Sequence, residues 1–205
     1  GFATINVAEE KTLTYGGAAL SLGANTLTVA GAGTLSNAGG YVLGDPLSIL
    51  KLSGTNTVSG PLTLNAGVID VGGSSTLSSD LTLGGSAAID VAQEKTLTYV
   101  GAALSLGANT LTVAGAGTLL STNGLVLSNP SSVLKILGSN TVSGPVSLSA
   151  GIIDVDETSN LNSDLSLSGS AAIDIAQDKI LTYGGASLSL GANTLTVFGA
   201  GTLSN

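Results

Sequence analysis

Leu-Gly-Ala-Asn-Thr-Leu-Thr-Val occupies residues 22–29, and the same eight residues recur at 106–113 and at 190–197. Each copy begins 84 residues after the copy before it. Lys-Thr-Leu-Thr-Tyr recurs with the same spacing, at 11–15 and 95–99. A fixed period of this length indicates a tandem array of structural units that stack on one another.

Each 84-residue unit divides into short runs in which apolar and polar residues alternate, separated by Gly, Ser, Ala, Asn or Pro. Alternation with a period of two between turn-forming residues is typical of short β-strands. The runs of the first unit group in threes and give four segments, at 3–24, 25–46, 47–66 and 67–86. The sequence therefore predicts coils of about 20–22 residues with three strands in each coil.

The apolar residues of successive segments form three columns when the segments are stacked. The aligned sets include Ile5 with Leu27, Ile89 with Leu111, Ile173 with Leu195, Leu77 with Leu97, and Leu13 with Leu35 and Val58. If these columns face inward, the chain is all-β and forms a three-sided parallel β-solenoid with a four-coil super-repeat. Parallel crossovers are right-handed in almost all proteins, which favours a right-handed β-helix.

We expect residues 1–205 to form a single continuous solenoid, with super-repeats at 3–86 and 87–170 and a partial one at 171–205. Because the array stops part-way through its third unit, we expect a segment of a longer array, or copies that stack end to end. Tandem immunoglobulin-like sandwiches are the alternative for an 84-residue period. A sandwich, however, gives no reason for the shorter period of 20–22 residues.

The composition excludes several classes of function. Thirteen Asp and Glu against five Lys give a net charge of −8, and the chain has no Arg, His or Cys. An acidic chain without Arg is unsuited to binding nucleic acid. Without His and Cys it lacks the usual zinc ligands and nucleophile–base pairs, so we expect no catalytic residue and no cofactor. No apolar run reaches the roughly 18 residues of a membrane-spanning helix, so we expect no insertion into a membrane.

Residues 52–67 read Leu-Ser-Gly-Thr-Asn-Thr-Val-Ser-Gly-Pro-Leu-Thr-Leu-Asn-Ala-Gly, and a close copy occupies 137–151. This stretch resembles the repeats of bacterial autotransporter passengers and related large secreted adhesins. The resemblance covers about one coil in each super-repeat. It implies a β-helix located outside the cell or on the bacterial cell surface, where members of that family form stalks and adhesins.

The first strands carry charged residues at their outward positions. We expect Lys51 to pair with Asp70 and Lys135 with Asp154, each pair lying on adjacent coils. A calcium site is the functional alternative for the acidic residues near one corner, because oxygen-rich acidic clusters suit Ca²⁺. Its candidate ligands are Asp154, Asp156, Glu157, Asp174 and Asp178. A glycosidase would also need paired carboxylates, but these lie on a flat face, so we expect no enzyme.

The second strands carry hydroxyl side chains on both sides of each buried residue. A flat lattice of Thr is similar to the ice-binding face of β-solenoid antifreeze proteins, although Thr also favours exposed strands for structural reasons. We expect Thr76 to align with Thr96, which would make one long column. The candidate ice-binding residues are Thr12, Thr14, Thr34, Thr57, Thr76, Thr96, Thr98, Thr118 and Thr141.

Together these observations favour a structural protein, namely a rod segment of an extracellular fibre or adhesin stalk without catalysis. Its expected partners are further copies of its own repeat, placed end to end or side by side. An ice-binding solenoid and a calcium-assisted adhesin are the two alternatives. The sequence does not identify the surface or ligand that such a fibre would contact.

Overall fold

A computed structural model describes residues 1–186 and 188–205 and shows only β-strands and turns in them. Three short strands make up each coil, and each strand pairs in parallel with the corresponding strand of the next coil. The predicted three-sided parallel β-solenoid is therefore confirmed. Since stacked strands lie about 4.8 Å apart, ten coils extend over roughly 45–50 Å.

The strands follow one another around the three sides of the coil. The first face is a ten-stranded sheet of β1 (Phe2–Val7), β4 (Thr26–Gly31), β7 (Ile49–Leu52), β10 (Val68–Val71), β13 (Ala87–Val91), β16 (Thr110–Gly115), β19 (Val133–Leu137), β22 (Ile152–Val155), β25 (Ala171–Ile175) and β28 (Leu195–Gly199). The second face is a ten-stranded sheet of β2 (Thr12–Tyr15), β5 (Thr34–Asn37), β8 (Thr57–Ser59), β11 (Ser75–Leu77), β14 (Thr96–Tyr99), β17 (Thr118–Ser121), β20 (Thr141–Ser143), β23 (Ser159–Asn162), β26 (Ile180–Tyr183) and β29 (Thr202–Ser204). The third face has a four-stranded sheet of β3 (Leu20–Ser21), β6 (Tyr41–Leu43), β9 (Leu62–Leu64) and β12 (Leu81–Leu83), and a five-stranded sheet of β15 (Leu104–Ser105), β18 (Leu125–Leu127), β21 (Val146–Leu148), β24 (Leu165–Leu167) and β27 (Leu188–Ser189).

The hydrophobic core runs through the interior between the three faces. Leu13 aligns with Leu35, and Leu35 with Val58, as the sequence predicts. Internal coils bury these columns completely, so that Leu50 and Ile69 have no exposed surface. A single coil has too few apolar side chains to offset its own ordering entropy, so each coil depends on its neighbours for stability.

The register on the first face differs from the sequence alignment by two residues at one step in each super-repeat. Ile5 aligns with Val29 and not with Leu27. In the same way Ile89 aligns with Val113, and Ile173 with Val197, so the expected alignments with Leu111 and Leu195 are wrong. A shift of two residues keeps every side chain on its own side of the sheet, so the alternation pattern is the same in both registers.

This shift brings the end of each affected strand over a glycine. Val7 aligns with Gly31, Val91 with Gly115, and Ile175 with Gly199. All three glycines have a positive φ, between 85° and 90°. A Cβ at any of them would overlap the carbonyl oxygen of the residue in the preceding coil. Glycine is therefore required where the shifted backbones approach each other closely.

A second shift occurs on the second face between the fourth and fifth coils. Leu77 aligns with Tyr99 and not with Leu97, which instead lies beside Ser75. The same shift recurs one super-repeat later, where Leu161 aligns with Tyr183. The predicted column through Leu77 and Leu97 is therefore wrong.

Several residues expected in the core are partly exposed in the first and last coils. Leu13 is 45% exposed and Val197 is 46% exposed, and Leu188 and Leu190 are also accessible. These side chains occupy inward positions, but on their own face the described residues provide a neighbouring strand on one side only. Burial at an inward position thus depends on two flanking coils.

Candidate functional site

The charged residues are distributed unevenly over the three faces. The strands of the first face contain six of them, namely Lys51, Asp70, Asp90, Lys135, Asp154 and Asp174. The strands of the second and third faces, as far as the structure describes them, contain no charged residue. The other twelve of the 18 charged residues lie in turns between strands.

Both predicted ion pairs of the first face are present. Lys51 Nζ lies 2.5 Å from Asp70 Oδ2, and Lys135 Nζ lies 2.8 Å from Asp154 Oδ2. Lys135 also lies 2.6 Å from Asp156 Oδ2, so this lysine bridges two carboxylates. Its hydrogen bonds to Asp154 and then Asp156 raise the pKa of Lys135 above its ordinary value. The side chains are about one-third exposed, which limits each pair to about 1 kcal/mol.

Three of the five calcium candidates contact lysines, Asp174 lies on strand β25, and Asp178 lies in a turn. Asp154 and Asp156 contact Lys135, and Glu157 lies 2.7 Å from Lys179. Asp174 aligns with Asp154 on the next coil, as expected. In the described part of the chain, no three acidic side chains form a group that could hold a metal ion. The structure thus pairs Asp154, Asp156 and Glu157 with lysines, and calcium binding stays a prediction.

Asp178, the remaining candidate, lies in the turn that leads into the second face. This turn is the same in each super-repeat, and its left-handed residue is Glu10, Glu94 or Asp178, with φ between 58° and 61°. The lysine that follows donates its backbone N–H to the alanine carbonyl three residues before it, at 3.0–3.1 Å. This acidic position therefore belongs to a turn that all three units share.

The second face contains an aligned column of five threonines. Their order is Thr12, Thr34, Thr57, Thr76 and Thr98. Thr12 is exposed, and Thr34, Thr57, Thr76 and Thr98 are half-buried by their neighbours in the sheet. A parallel column beside it starts with Thr14 and continues with Ser36 and Ser59.

The register shift of the second face interrupts the threonine lattice. The sequence predicts that Thr76 aligns with Thr96, but in the structure Thr76 aligns with Thr98. The first column then meets Leu120, while Thr96 begins a new column with Thr118 and Thr141. Eight of the nine candidate threonines therefore lie in two columns, displaced by two residues along the strand, or about 6.6–6.8 Å, and Thr14 lies in the column of Ser36 and Ser59.

The sheet of the third face is interrupted between the fourth and fifth coils. Among the described residues, β12 and β15 share no ladder, although they lie next to each other. The Tyr99 hydroxyl replaces part of the missing ladder, since it accepts a hydrogen bond from Leu81 N at 3.0 Å and donates one to Ala102 O at 2.7 Å. Asn109 Nδ2 donates to Leu83 O at 3.1 Å at the other end of β12.

Burial raises the pKa of the Tyr99 hydroxyl above its usual range. The hydrogen bond from Leu81 opposes this rise, and the negative charge of Asp80 adds to it. The sequence analysis did not single out Tyr99. Its signal was present in the repeats, because Tyr15, Tyr99 and Tyr183 occupy the same position of each unit.

A cleft of about 370 Å³ opens at this interruption and is lined by Asp80, Leu83, Tyr99 and Ala103 among others. Asp80 Oδ1 accepts a hydrogen bond from Ala102 N at 2.8 Å and so closes one end of it. A similar cleft of about 340 Å³ lies one super-repeat later, beside Asp164. The sheet is continuous at this second cleft, where β24 pairs with β27, and Asp164 Oδ1 accepts a hydrogen bond from Ala186 N at 3.0 Å.

Asn56 and Asn140 are buried at the corner that follows the first face. Their side-chain amides donate to Val29 O at 2.9 Å and to Val113 O at 3.0 Å. The side-chain oxygen of each is buried without a partner within the described residues. Sequence reasoning could place these residues at corners from their neighbours, but could not reveal that their side chains turn inward.

No protein family matches this chain, and neither a curated protein nor a solved structure matches it. In the residues that the structure describes, no helix has the length and apolar character needed to cross a membrane. The function is therefore inferred from the geometry of the faces and from the sequence.

Proposed function

We propose that this chain is a rod segment of an extracellular fibre or adhesin stalk, and that it acts mechanically and without catalysis. The observation that supports this most is the continuous ladder of ten parallel strands on each of two faces. Its backbone hydrogen bonds run along the rod axis, so a pull along the axis acts on many bonds in every coil at once.

The core supports the same proposal. Aliphatic residues of all three faces meet in one buried cluster that extends through the internal coils. Because each coil is stabilised by its neighbours, the rod can be lengthened by adding coils without a new core. The net charge of −8 and the charged first face favour solubility of such a fibre.

The proposed location is outside the cell or on the bacterial cell surface, and the proposed partners are further copies of the repeat. The location rests on the resemblance of residues 52–67 and 137–151 to secreted adhesin repeats. Antibodies raised against the chain should label intact cells that produce it, and external protease should remove the label. Labelling that requires permeabilised cells would contradict this location.

Single-molecule pulling on the two ends of the chain tests the mechanical role. Releasing one coil of about 20 residues frees roughly 65–70 Å of contour length, less the 4.8 Å rise of that coil. We expect steps that are whole multiples of this length. Gradual extension at low force, without steps, would contradict a stiff rod.

Ice binding is the second candidate, and the aligned column from Thr12 to Thr98 favours it. The interruption by Leu120 and the serines of the adjacent column oppose it. Thermal hysteresis and ice-crystal shape measured with the purified chain test this candidate. Faceted ice crystals that revert to discs with a Thr57→Lys variant would support it, and unshaped crystals would eliminate it.

A further inference from the structure

The second face departs from the repeat at two neighbouring positions. Val100 and Leu120 are apolar and point outward, whereas the other units have Gly16 and Gly184, or Ser36 and Ser204, at these positions. Leu120 aligns with Thr98, and Val100 follows two residues after Thr98, so the two side chains are diagonal neighbours. Val100 is 40% exposed and Leu120 is half-buried.

The strands around this pair contain no charged residue, and Asp80 lies in the turn after β11, where its carboxylate accepts a hydrogen bond from Ala102 N. The side chains of the described strands of the second face are hydroxyl, amide or apolar, although the whole chain carries 18 charged residues. Loss of charge around a small apolar centre is the compositional mark of the core of a protein interface. The charges of the first face and of the turns would lie outside such an interface.

We propose that the second face binds a second copy of this chain side by side, with Val100 and Leu120 at the centre of the contact. This inference rests on the proposed function, which names further copies of the repeat as partners, and deepens it by assigning the face and the residues of a lateral contact.

A second copy is favoured because the face is complementary to itself. The strands of two copies have the same spacing of about 4.8 Å, and hydroxyl groups both donate and accept hydrogen bonds. In this chain the apolar pair lies on the fifth and sixth of ten strands. A two-fold axis at that point places the apolar pair of one copy on that of the other, as a two-fold dimer interface requires.

The second face is also better suited to this contact than the third. The second face is one continuous sheet of ten strands, whereas the third is divided into sheets of four and five strands. Ten strands about 4.8 Å apart and 10–13 Å wide give a flat area of roughly 500–600 Å². Stable interfaces bury about 800 Å² on each partner, so the dimer of this segment is weak and strengthens with added coils.

Sedimentation velocity of the purified full chain from micromolar to about millimolar concentration tests the proposal. Leu120→Lys places a charge at the proposed centre. Val126→Lys is the matched control, because Val126 is also an outward, half-buried aliphatic residue of the same coil, but on the third face. Leu120→Ser combined with Val100→Gly restores the residues of the other units, so the fold tolerates it. Circular dichroism verifies that each variant is folded.

We expect the average mass of the wild-type chain to rise toward a dimer with concentration. Leu120→Lys should abolish this rise, the Ser and Gly double variant should raise the dissociation constant at least about tenfold, and Val126→Lys should leave it unchanged. A wild-type chain that stays monomeric at every concentration would overturn the proposal. So would an equal loss of dimerisation in the Val126→Lys and Leu120→Lys variants. Either result would leave the stepwise unfolding of the rod unaffected.

Discussion

Replacing Gly115 with alanine tests the close stacking of the coils directly. Gly115 has a φ of 85° and lies where the shifted register brings β16 against β13. A Cβ there would lie 2.8 Å from the carbonyl carbon of Val91 and 2.6 Å from Asp90 Oδ1, and would overlap the Val91 carbonyl oxygen. Because two of these three atoms belong to the backbone of the preceding coil, they cannot rotate away.

The expected cost has two parts. A left-handed conformation costs an alanine about 1–2 kcal/mol, and overpacking against a fixed backbone costs about 1–3 kcal/mol more. Gly115→Ala should thus lower the free energy of unfolding by about 2–5 kcal/mol. With a urea dependence of about 2–3 kcal/mol per molar, the unfolding midpoint falls by about 1–2 M.

Two other glycines separate the two parts of this cost. Gly107 has a φ of 56°, but the atom nearest to a Cβ added there would be Asn109 Nδ2, at 3.6 Å. Gly107→Ala should therefore lower the free energy of unfolding by only about 1–2 kcal/mol. Gly16 has open space and no positive φ, so Gly16→Ala should be neutral or stabilise by up to about 1 kcal/mol. Urea unfolding followed by circular dichroism measures all three. Equal midpoints for the Gly115 and Gly107 variants would refute the close approach of these coils.

Four further outcomes are expected. Tyr99→Phe leaves the buried Leu81 N without its hydroxyl partner, removes the hydrogen bond to Ala102 O, and should lower the free energy of unfolding by about 1–3 kcal/mol in urea. Tyr15→Phe, at the exposed position of the first unit, should change it by less than about 0.5 kcal/mol. Burial raises the pKa of Tyr41 to about 12, so the folded chain keeps this proton to higher pH than the unfolded chain. The contribution of Tyr41 to stability should be complete below pH 10 and fall by about 1.4 kcal/mol per pH unit from pH 10 to about 12, and Tyr41→Phe should remove this part of the slope. Lys135→Met removes the cation between two carboxylates and should lower the melting temperature at low salt, with the difference shrinking at about 1 M salt. The melting temperature of the wild-type chain should be the same in excess chelator and in about 1 mM Ca²⁺. A higher melting temperature in Ca²⁺ would support a calcium-assisted adhesin.

The candidate surfaces could be predicted only in part. Outward residues such as Thr57 and Lys51 follow from the alternation of the strands, and the pair of Lys51 with Asp70 follows from the stacking of coils. The second carboxylate on Lys135 lies beyond the end of its strand, where a turn determines the position of the side chain. Alternation carries no information about turns, so Asp156 and Glu157 were placed in one cluster that the structure divides.

The sequence by itself determined the strands, the three faces and the side on which each residue lies, because alternation and repeat spacing are local properties of the chain. Only the tertiary structure decided which residue of one coil pairs with which residue of the next. Ile5 could align with Leu27 or Val29, since a shift of two residues leaves every side chain facing the same way. The register of the first face depends on how closely backbones approach at Gly31, and that of the second face is accompanied by the hydrogen bond from Leu81 N to the Tyr99 hydroxyl. Both are contacts between residues far apart in sequence.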